Sequence, residues 1–127
     1  MRAREIPKQE WKEYLDHVSK HMLAIIPEFT TLEVLSADMG LQLETSRERL
    51  LGLTYDPKED AVEFEFSGFV HRVLHPREIR VAETETGQLQ SLKVLVEEID
   101  LRAHRGREEI ATLRSSPGYR ALLEHQS

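Results

Sequence analysis

The densest group of ionisable side chains in the sequence surrounds a His-Pro step in the middle of the chain. It comprises His71, Arg72, His75, Arg77 and Glu78. Two imidazoles and a carboxylate can in principle hold a divalent metal. If residues 69–74 form a strand, however, His71 and His75 lie about 13 Å apart, at roughly 3.3 Å per residue, which is too far for one ion. We therefore predict no metal here, with His71 half-exposed on a strand and His75 at a corner.

The same corner could instead bind a small anion, because an arginine guanidinium matches a carboxylate with paired hydrogen bonds. Under this hypothesis the chain is a small ligand-binding or enzymatic domain. Its ligand site would be built from Tyr55, His71, His75, Arg77 and Glu78. The hypothesis predicts that these side chains converge on one pocket.

Other acidic and imidazole groups have spacings that favour ordinary surface positions. His17 and His21 are neighbours on a helix, but no Glu follows His17, so the zinc-protease pattern is absent. The carboxylates of residues 56–60 lack the spacing of a calcium loop and suit a turn. Glu63 and Glu65 fit a solvent-facing row on a strand. None of these groups leads us to predict a metal site.

The sequence contains none of the motifs that indicate nucleophilic catalysis or phosphate binding. No serine stands in a Gly-x-Ser-x-Gly elbow, no glycine-rich loop opens a helix, and the chain has no cysteine. The basic run at residues 102–107 has no interleaved aromatic residues and is flanked by Asp100, Glu108 and Glu109. We interpret it as a charged hairpin tip that protects a sheet edge. We predict no catalytic residues and no cofactor, and favour a protein without enzymatic activity.

Length and charge narrow the class of protein further. The chain has 127 residues, the usual size of one domain with a single core. Its 23 acidic and 17 basic residues give a net charge of −6, which repels phosphate backbones and anionic lipid. The apolar run at residues 22–26 is too short for a signal segment or a membrane span. With the lack of cysteine, these features predict a cytoplasmic protein that binds neither nucleic acid nor membrane.

The first predicted element is a helix that begins near Pro7 and ends before Pro27. Apolar residues recur there with a helical period and form one stripe. The stripe consists of Trp11, Tyr14, Leu15, Val18 and Met22. Pro7 suits the first helical position, and Ile6 could fold back against Glu10 or Trp11 as a hydrophobic staple.

After the helix, short runs of strand-forming residues follow one another, separated by turn sequences. The predicted strands are 31–36, 41–45, 50–55, 62–66, 69–74, 79–84, 89–99 and 110–114. No long helix separates them, which favours an antiparallel meander over parallel βαβ units. We predict an α+β fold in one domain, with the N-terminal helix packed on a meander of about six to eight strands. A short helix is also compatible with residues 119–125, and residues 1–5 and 118–127 could fray.

The middle of the chain is similar to a known family. The similarity is carried by the runs LGLTYDPKED, HRVLHPREI and SLKV at residues 51–60, 71–79 and 91–94, by Ile6-Pro7 with Trp11, and by Leu32-Glu33-Val34. Over residues 5–115 the chain resembles small bacterial proteins of domain-of-unknown-function family 5335. The turn before the last strand is Asp-Gly in that family, whereas here it contains His104-Arg105-Gly106-Arg107. The resemblance implies no activity, catalytic residue or cofactor, because the family has none assigned.

We expect a non-enzymatic binding or assembly module that forms a homodimer or binds another protein. An antiparallel sheet covered by one helix leaves an edge or a face free. Phe64, Phe66 and Phe69 could extend an apolar surface across a two-fold axis. The anion-binding corner is the alternative hypothesis.

Overall fold

The computed structural model describes residues 2–25, 28–36, 40–100 and 105–114. The helix expected at residues 119–125 and the tail expected at 118–127 lie outside these ranges. The helical segment consists of a 3₁₀ turn (Lys8–Glu10), helix α1 (Trp11–Val18) and a π turn (Ser19–Leu23). The strands are β1 (Arg2–Ile6), β2 (Glu28–Ser36), β3 (Gly40–Asp56), β4 (Ala61–Phe66), β5 (Val70–Leu74), β6 (Glu78–Glu83), β7 (Leu89–Asp100) and β8 (Arg105–Arg114).

The eight strands of the described residues form one antiparallel sheet, in the order β1-β6-β7-β8-β2-β3-β4-β5. Strands β2 to β5 follow one another as neighbours, and so do β6 to β8. The pairing of β8 with β2 joins these two meanders, and β1 pairs with β6. The prediction of a single meander is wrong in this respect, because the chain returns to lay β8 beside β2. Strands β1 and β5 form the two edges of the sheet.

Helix α1 packs against the sheet through the stripe that the sequence predicts. The residues of this stripe are Trp11, Leu15 and Val18, which are buried, and Tyr14 and Met22, which are partly buried. The indole Nε1 of Trp11 donates a 2.8 Å hydrogen bond to the carbonyl oxygen of Ile6, so the chain folds back as the staple predicts. No helix within the described residues is long and apolar enough to cross a membrane.

One buried cluster fills the inner side of the sheet, on which the helix also packs. Alternating residues point inward, as in β4, where Phe64 and Phe66 are buried while Glu65 is exposed. The sheet curls around this cluster, so that its last strand, β5, also contacts β7. The backbone N–H of Arg77, just after β5, donates to the carbonyl oxygen of Leu95 over 2.8 Å.

Strand β3 is longer than the pattern of apolar residues predicts. The separate strands predicted at 41–45 and 50–55 are parts of one strand, Gly40–Asp56. The run between them is polar and shows no apolar alternation, so periodicity does not detect it. The backbone ladder to β2 nevertheless continues there, with Glu48 opposite Thr30.

Strand β1 lies where residues 1–5 were expected to fray. Arg2–Ile6 pairs with β6 over its whole length. The segment has a single large apolar residue, so no strand period can be read from it. An ion pair reinforces the backbone ladder, because Arg4 Nε lies 2.9 Å from Glu83 Oε1.

Candidate functional site

Two clusters of ionisable side chains stand out in the fold, and the first surrounds Asp60 at the end of the turn between β3 and β4. The Tyr55 hydroxyl donates a 2.6 Å hydrogen bond to Asp60 Oδ1. His75 Nδ1 lies 3.4 Å from Asp60 Oδ2, and Lys8 Nζ lies 3.8 Å from Oδ1. We call these four residues the Asp60 corner.

The backbone of the Asp60 corner adopts a conformation that most side chains avoid. Asp60 has φ 51° and His75 has φ 55°, the positive values among the described non-glycine residues. The N–H of His75 donates to the carbonyl oxygen of Asp60 over 2.8 Å, which joins the turn to the end of β5. Asp56 Oδ1 closes the turn by accepting a 2.9 Å hydrogen bond from the N–H of Lys58. The backbone hydrogen bond between the two residues fixes Asp60 against His75.

Electrostatics keep Asp60 of the Asp60 corner ionised and Tyr55 protonated. The hydrogen bond from Tyr55 lowers the pKa of Asp60, burial opposes this, and His75 and Lys8 lower it further. Burial raises the pKa of Tyr55 to about 12, and its hydrogen bond to Asp60 acts in the same direction. Asp60 is therefore a carboxylate acceptor and Tyr55 a phenol donor across the ordinary pH range.

We expect Tyr55→Phe to lower the free energy of unfolding by about 1 kcal/mol at neutral pH, because a hydrogen bond to a partly exposed carboxylate is lost. A carboxyl whose folded pKa is depressed adds stability above its unfolded pKa, and this stability disappears as the pH falls through the folded pKa. The difference between variant and parent should therefore shrink in acid. Urea denaturation at neutral and acidic pH measures it, and an equal difference at both would refute the contribution of Asp60.

An open cleft of about 590 Å³ borders the Asp60 corner. It is lined by Lys8, Gln9, Lys12, Tyr55, Pro57 and Asp60. Its charges have partners within the chain, since Lys12 Nζ lies 2.7 Å from Asp16 Oδ2 and Lys8 faces Asp60. The cleft therefore offers a mixed polar surface rather than a concentrated positive charge for an anion.

The residues predicted to form a ligand site separate into different environments. Tyr55 and His75 meet through Asp60. His71 lies on β5, four residues before His75, and contacts Glu109 on β8 instead. The two histidines thus take different partners, in keeping with the separation that strand rise predicts.

The remaining two residues of the predicted site take no part in either cluster. Arg77 contributes its backbone N–H to Leu95, and its side chain is exposed. Glu78 Oε1 lies 3.0 Å from Arg80 Nη2, an ion pair on strand β6. The five predicted side chains therefore do not converge on one pocket.

The second cluster joins the edge strand β5 to β8, and its acidic member is missing from the predicted site. His71 Nε2 and Glu109 Oε1 form a short hydrogen bond, and we call them the His71–Glu109 pair. The Glu109 side chain is only 1% exposed. Within the described residues its Oε2 has no hydrogen-bond partner, and Arg107 Nη2 lies 3.6 Å from it. A buried carboxylate of this kind costs free energy unless nearby charges compensate it.

Glu109 occupies an inward position on β8. Ala111 and Leu113 share its face and are buried, and Val34 and Val94 lie opposite it on β2 and β7. The prediction that Glu109 belongs to a charged hairpin tip is therefore wrong. The alternation of side chains along a strand could have predicted the burial of Glu109. A strand that turns Ala111 and Leu113 inward must also turn Glu109 inward.

The helix histidines form a contact of their own on the side of α1 away from the sheet. The ring centroids of His17 and His21 are 4.5 Å apart. Across the part of the chain that the structure describes, no three His, Asp or Glu side chains are grouped so that they could hold a metal ion. Neither histidine is therefore assigned a ligand role.

Comparison with known proteins gives a family but no activity. The model of a family of unknown function, DUF5335, matches residues 2–112, which include the Asp60 corner and the His71–Glu109 pair. An uncharacterized protein of Aquifex aeolicus (strain VF5) is 38% identical over 99 residues, which cover 77% of this chain and 86% of that protein. No solved structure matches the chain. The chain therefore belongs to the bacterial family of unknown function DUF5335, the family that its central sequence runs resemble.

Proposed function

We propose that the chain is a non-enzymatic binding or assembly module that forms a homodimer through the free edge of β5. The contrast between the two edges of the sheet carries this proposal. On β5, Val70 is 57% exposed and Leu74 is 51% exposed. On β1, the exposed residues 2–5 are charged or small. An apolar edge favours pairing with another strand, whereas a charged edge discourages it.

The backbone of β5 has hydrogen-bonding groups for such a pairing. The C=O of Phe69 and the N–H of His75 bond toward β4 and its adjoining turn. Because the bonding direction alternates along an antiparallel strand, the N–H and C=O groups of Val70, Arg72 and Leu74 point away from β4. The same N–H and C=O groups of β5 in a second copy of the chain can form hydrogen bonds with these groups.

A two-fold axis at Arg72 gives the best match between two β5 edges. It places Val70 of each copy opposite Leu74 of the other, so the exposed apolar side chains cover each other. The two Arg72 side chains meet at the axis. Each is already paired with Glu63 of its own chain, with Nε 3.0 Å from Oε1. Two positive and two negative charges therefore surround the axis and balance.

The aromatic residues contribute to this edge less than the sequence predicts. Phe64 and Phe66 are buried in the core, so the prediction that they extend an exposed surface is wrong for both. Their position follows from β4, which turns them inward while Glu65 faces solvent. Phe69 is exposed beside Val70 and stacks on Phe66, with ring centroids 4.8 Å apart. The apolar part of the edge is therefore Phe69, Val70 and Leu74.

The size of the edge sets the strength that we expect. Strand β5 has five residues, so the contact is smaller than a standard interface of about 1,600 Å². We expect a reversible dimer with a micromolar dissociation constant. A cytoplasmic location, which is part of the proposal, fits a cysteine-free chain whose contacts form without disulfides.

Sedimentation velocity over a micromolar to millimolar range tests the dimer. Val70→Lys and Leu74→Lys place a cation on the β5 edge and should each weaken association by about tenfold or more. Ala3→Lys on β1 and Leu41→Lys on β3 are matched controls, since both positions are exposed and lie away from β5. Both controls should associate as the parent does.

The parent chain should change from monomer to dimer within this range. A parent that stays monomeric throughout would refute the proposal. Dissociation by Leu41→Lys together with normal association of Val70→Lys would move the interface away from β5 and refute the edge pairing. Thermal unfolding should be nearly unchanged in all four variants, within about 0.5 kcal/mol, because each replaced side chain is exposed.

A further inference from the structure

The His71–Glu109 pair connects two strands that are not neighbours in the sheet. Strand β5 ends the strand order and β8 lies four positions away from it. Among the described strands, β4 is the only hydrogen-bonded neighbour of β5 in the sheet. Beyond the β4 ladder, β5 is held in place over β8 by the buried side chain of Val73 and by the contact between His71 and Glu109. The backbone hydrogen bond from Arg77 to Leu95 anchors the chain just after the strand.

Few charged groups face Glu109 in the described part of the chain. The residues opposite it on β2 and β7 are the two valines named above. On the β4 side, Phe64 lies beside His71, with ring centroids 6.0 Å apart. Arg107 on β8 is the other charged neighbour, 3.6 Å from Oε2 but itself exposed to solvent, which weakens its effect. Compensation of the buried carboxylate therefore depends chiefly on His71.

We propose that the His71–Glu109 pair is a proton-controlled latch, which holds β5 in the position from which it pairs with a second copy. This inference rests on the proposed dimer and adds its regulation. Imidazole is the side chain that ordinarily changes charge between about pH 5 and 8. A protonated His71 makes the contact an ion pair that compensates the buried carboxylate. A neutral His71 leaves a hydrogen bond without a counter-charge, so keeping β5 against Glu109 costs more free energy.

The latch makes the dimer bind protons more tightly than the separated chains do. Association is strongest while the imidazolium is present, and it weakens as the pH rises and the imidazole loses its proton. Both copies carry a latch, so two protons are linked to one association. Between about pH 8 and about pH 6 we expect the dissociation constant to fall by about tenfold or more.

Other charged groups of β5 and its neighbours belong to different contacts. His75 at the end of the strand faces Asp60. Arg72 and Glu63 pair with each other on the outer face. His75→Gln is therefore a matched control, because it removes an imidazole next to the same strand and leaves the latch intact.

Sedimentation velocity of the full chain at about pH 6, 7 and 8 tests the regulation. The variants are Glu109→Gln, which keeps the size of the side chain but removes its charge, and the control His75→Gln. The parent and His75→Gln should associate about tenfold more tightly at the lowest pH, and Glu109→Gln should change by less than about twofold. A parent that dimerises equally at all three pH values, or an undiminished response in Glu109→Gln, would overturn the proposal.

Hydrogen exchange of the β5 amides in dilute, monomeric protein separates the latch from the dimer. Protection of the His71 and Val73 amides, which face β4, should fall relative to core amides of β7 as the pH rises, in the parent and in His75→Gln. In Glu109→Gln this relative protection should not depend on pH. If the parent never dimerises but shows this pattern, the dimer is refuted and the latch stands. If the pattern is absent from the parent, the latch is refuted.

Discussion

Trp11→Ala should lower the free energy of unfolding by about 3 to 5 kcal/mol, because it removes the largest buried side chain of the helix. The indole is 1% exposed and meets Tyr55 edge-on, with ring centroids 5.2 Å apart. It also donates to the carbonyl oxygen of Ile6, which would lose that partner. Urea denaturation followed by circular dichroism measures the loss.

Two further variants separate the contributions of Trp11. Trp11→Phe keeps an aromatic ring and removes the N–H donor, so we expect a loss of roughly 1 to 2 kcal/mol. Lys12→Ala changes the neighbouring exposed residue and should stay within about 0.5 kcal/mol of the parent. Equal unfolding free energies for Trp11→Ala and the parent would show that the helix does not pack on the sheet.

His71→Ala should be comparably destabilising, by about 3 to 5 kcal/mol near neutral pH, although His71 is partly exposed. Removing it leaves the Glu109 carboxylate buried without its hydrogen-bond partner, and an uncompensated buried charge is costly. Among the described residues, the cation that remains beside Glu109 is Arg107, whose Nη2 lies 3.6 Å from Oε2 and whose side chain is exposed. Urea denaturation again measures the change.

A second substitution identifies the cause of that loss. Glu109→Leu in the His71→Ala background removes the unpaired charge and fills the inward position with an apolar side chain. We expect the double variant to regain at least about half of the stability that His71→Ala loses, which is a strongly non-additive result. Additive losses in the double variant would mean that the two side chains do not compensate each other.

The helix and most strands could be predicted because their apolar residues are the ones that the sheet buries. Trp11 and Leu15 repeat with a helical period, and Phe64 and Phe66 alternate with exposed or half-exposed acids. Strand β1 lacks such a pattern, since it is held by a backbone ladder and by Arg4. The periodicity of apolar residues predicts elements that bury one face. It does not detect strands that bury few apolar side chains.

Neither the order of the strands nor the contact between His71 and Glu109 can be predicted from one sequence. Nothing local predicts that β8 returns to β2, which is what joins the two meanders into one sheet. The inward direction of Glu109 follows from its strand period, but its contact with His71 depends on how far the sheet curls. The Asp60 corner is partly predictable, because the sequence indicates Tyr55 and His75 as site residues but places Asp60, the carboxylate that joins them, in an ordinary turn.

Disulfide trapping tests the pairing of two β5 edges most directly, because the chain has no cysteine of its own. Arg72→Cys places a thiol at the proposed two-fold axis, where a hydrogen-bonded antiparallel pair has Cα atoms about 5.5 Å apart, within reach of a disulfide. Ala3→Cys on β1 and Leu41→Cys on β3 are exposed controls. Under mild oxidation we predict a covalent dimer for Arg72→Cys and monomers for both controls. A monomeric Arg72→Cys, or faster cross-linking of either control, would contradict pairing through β5.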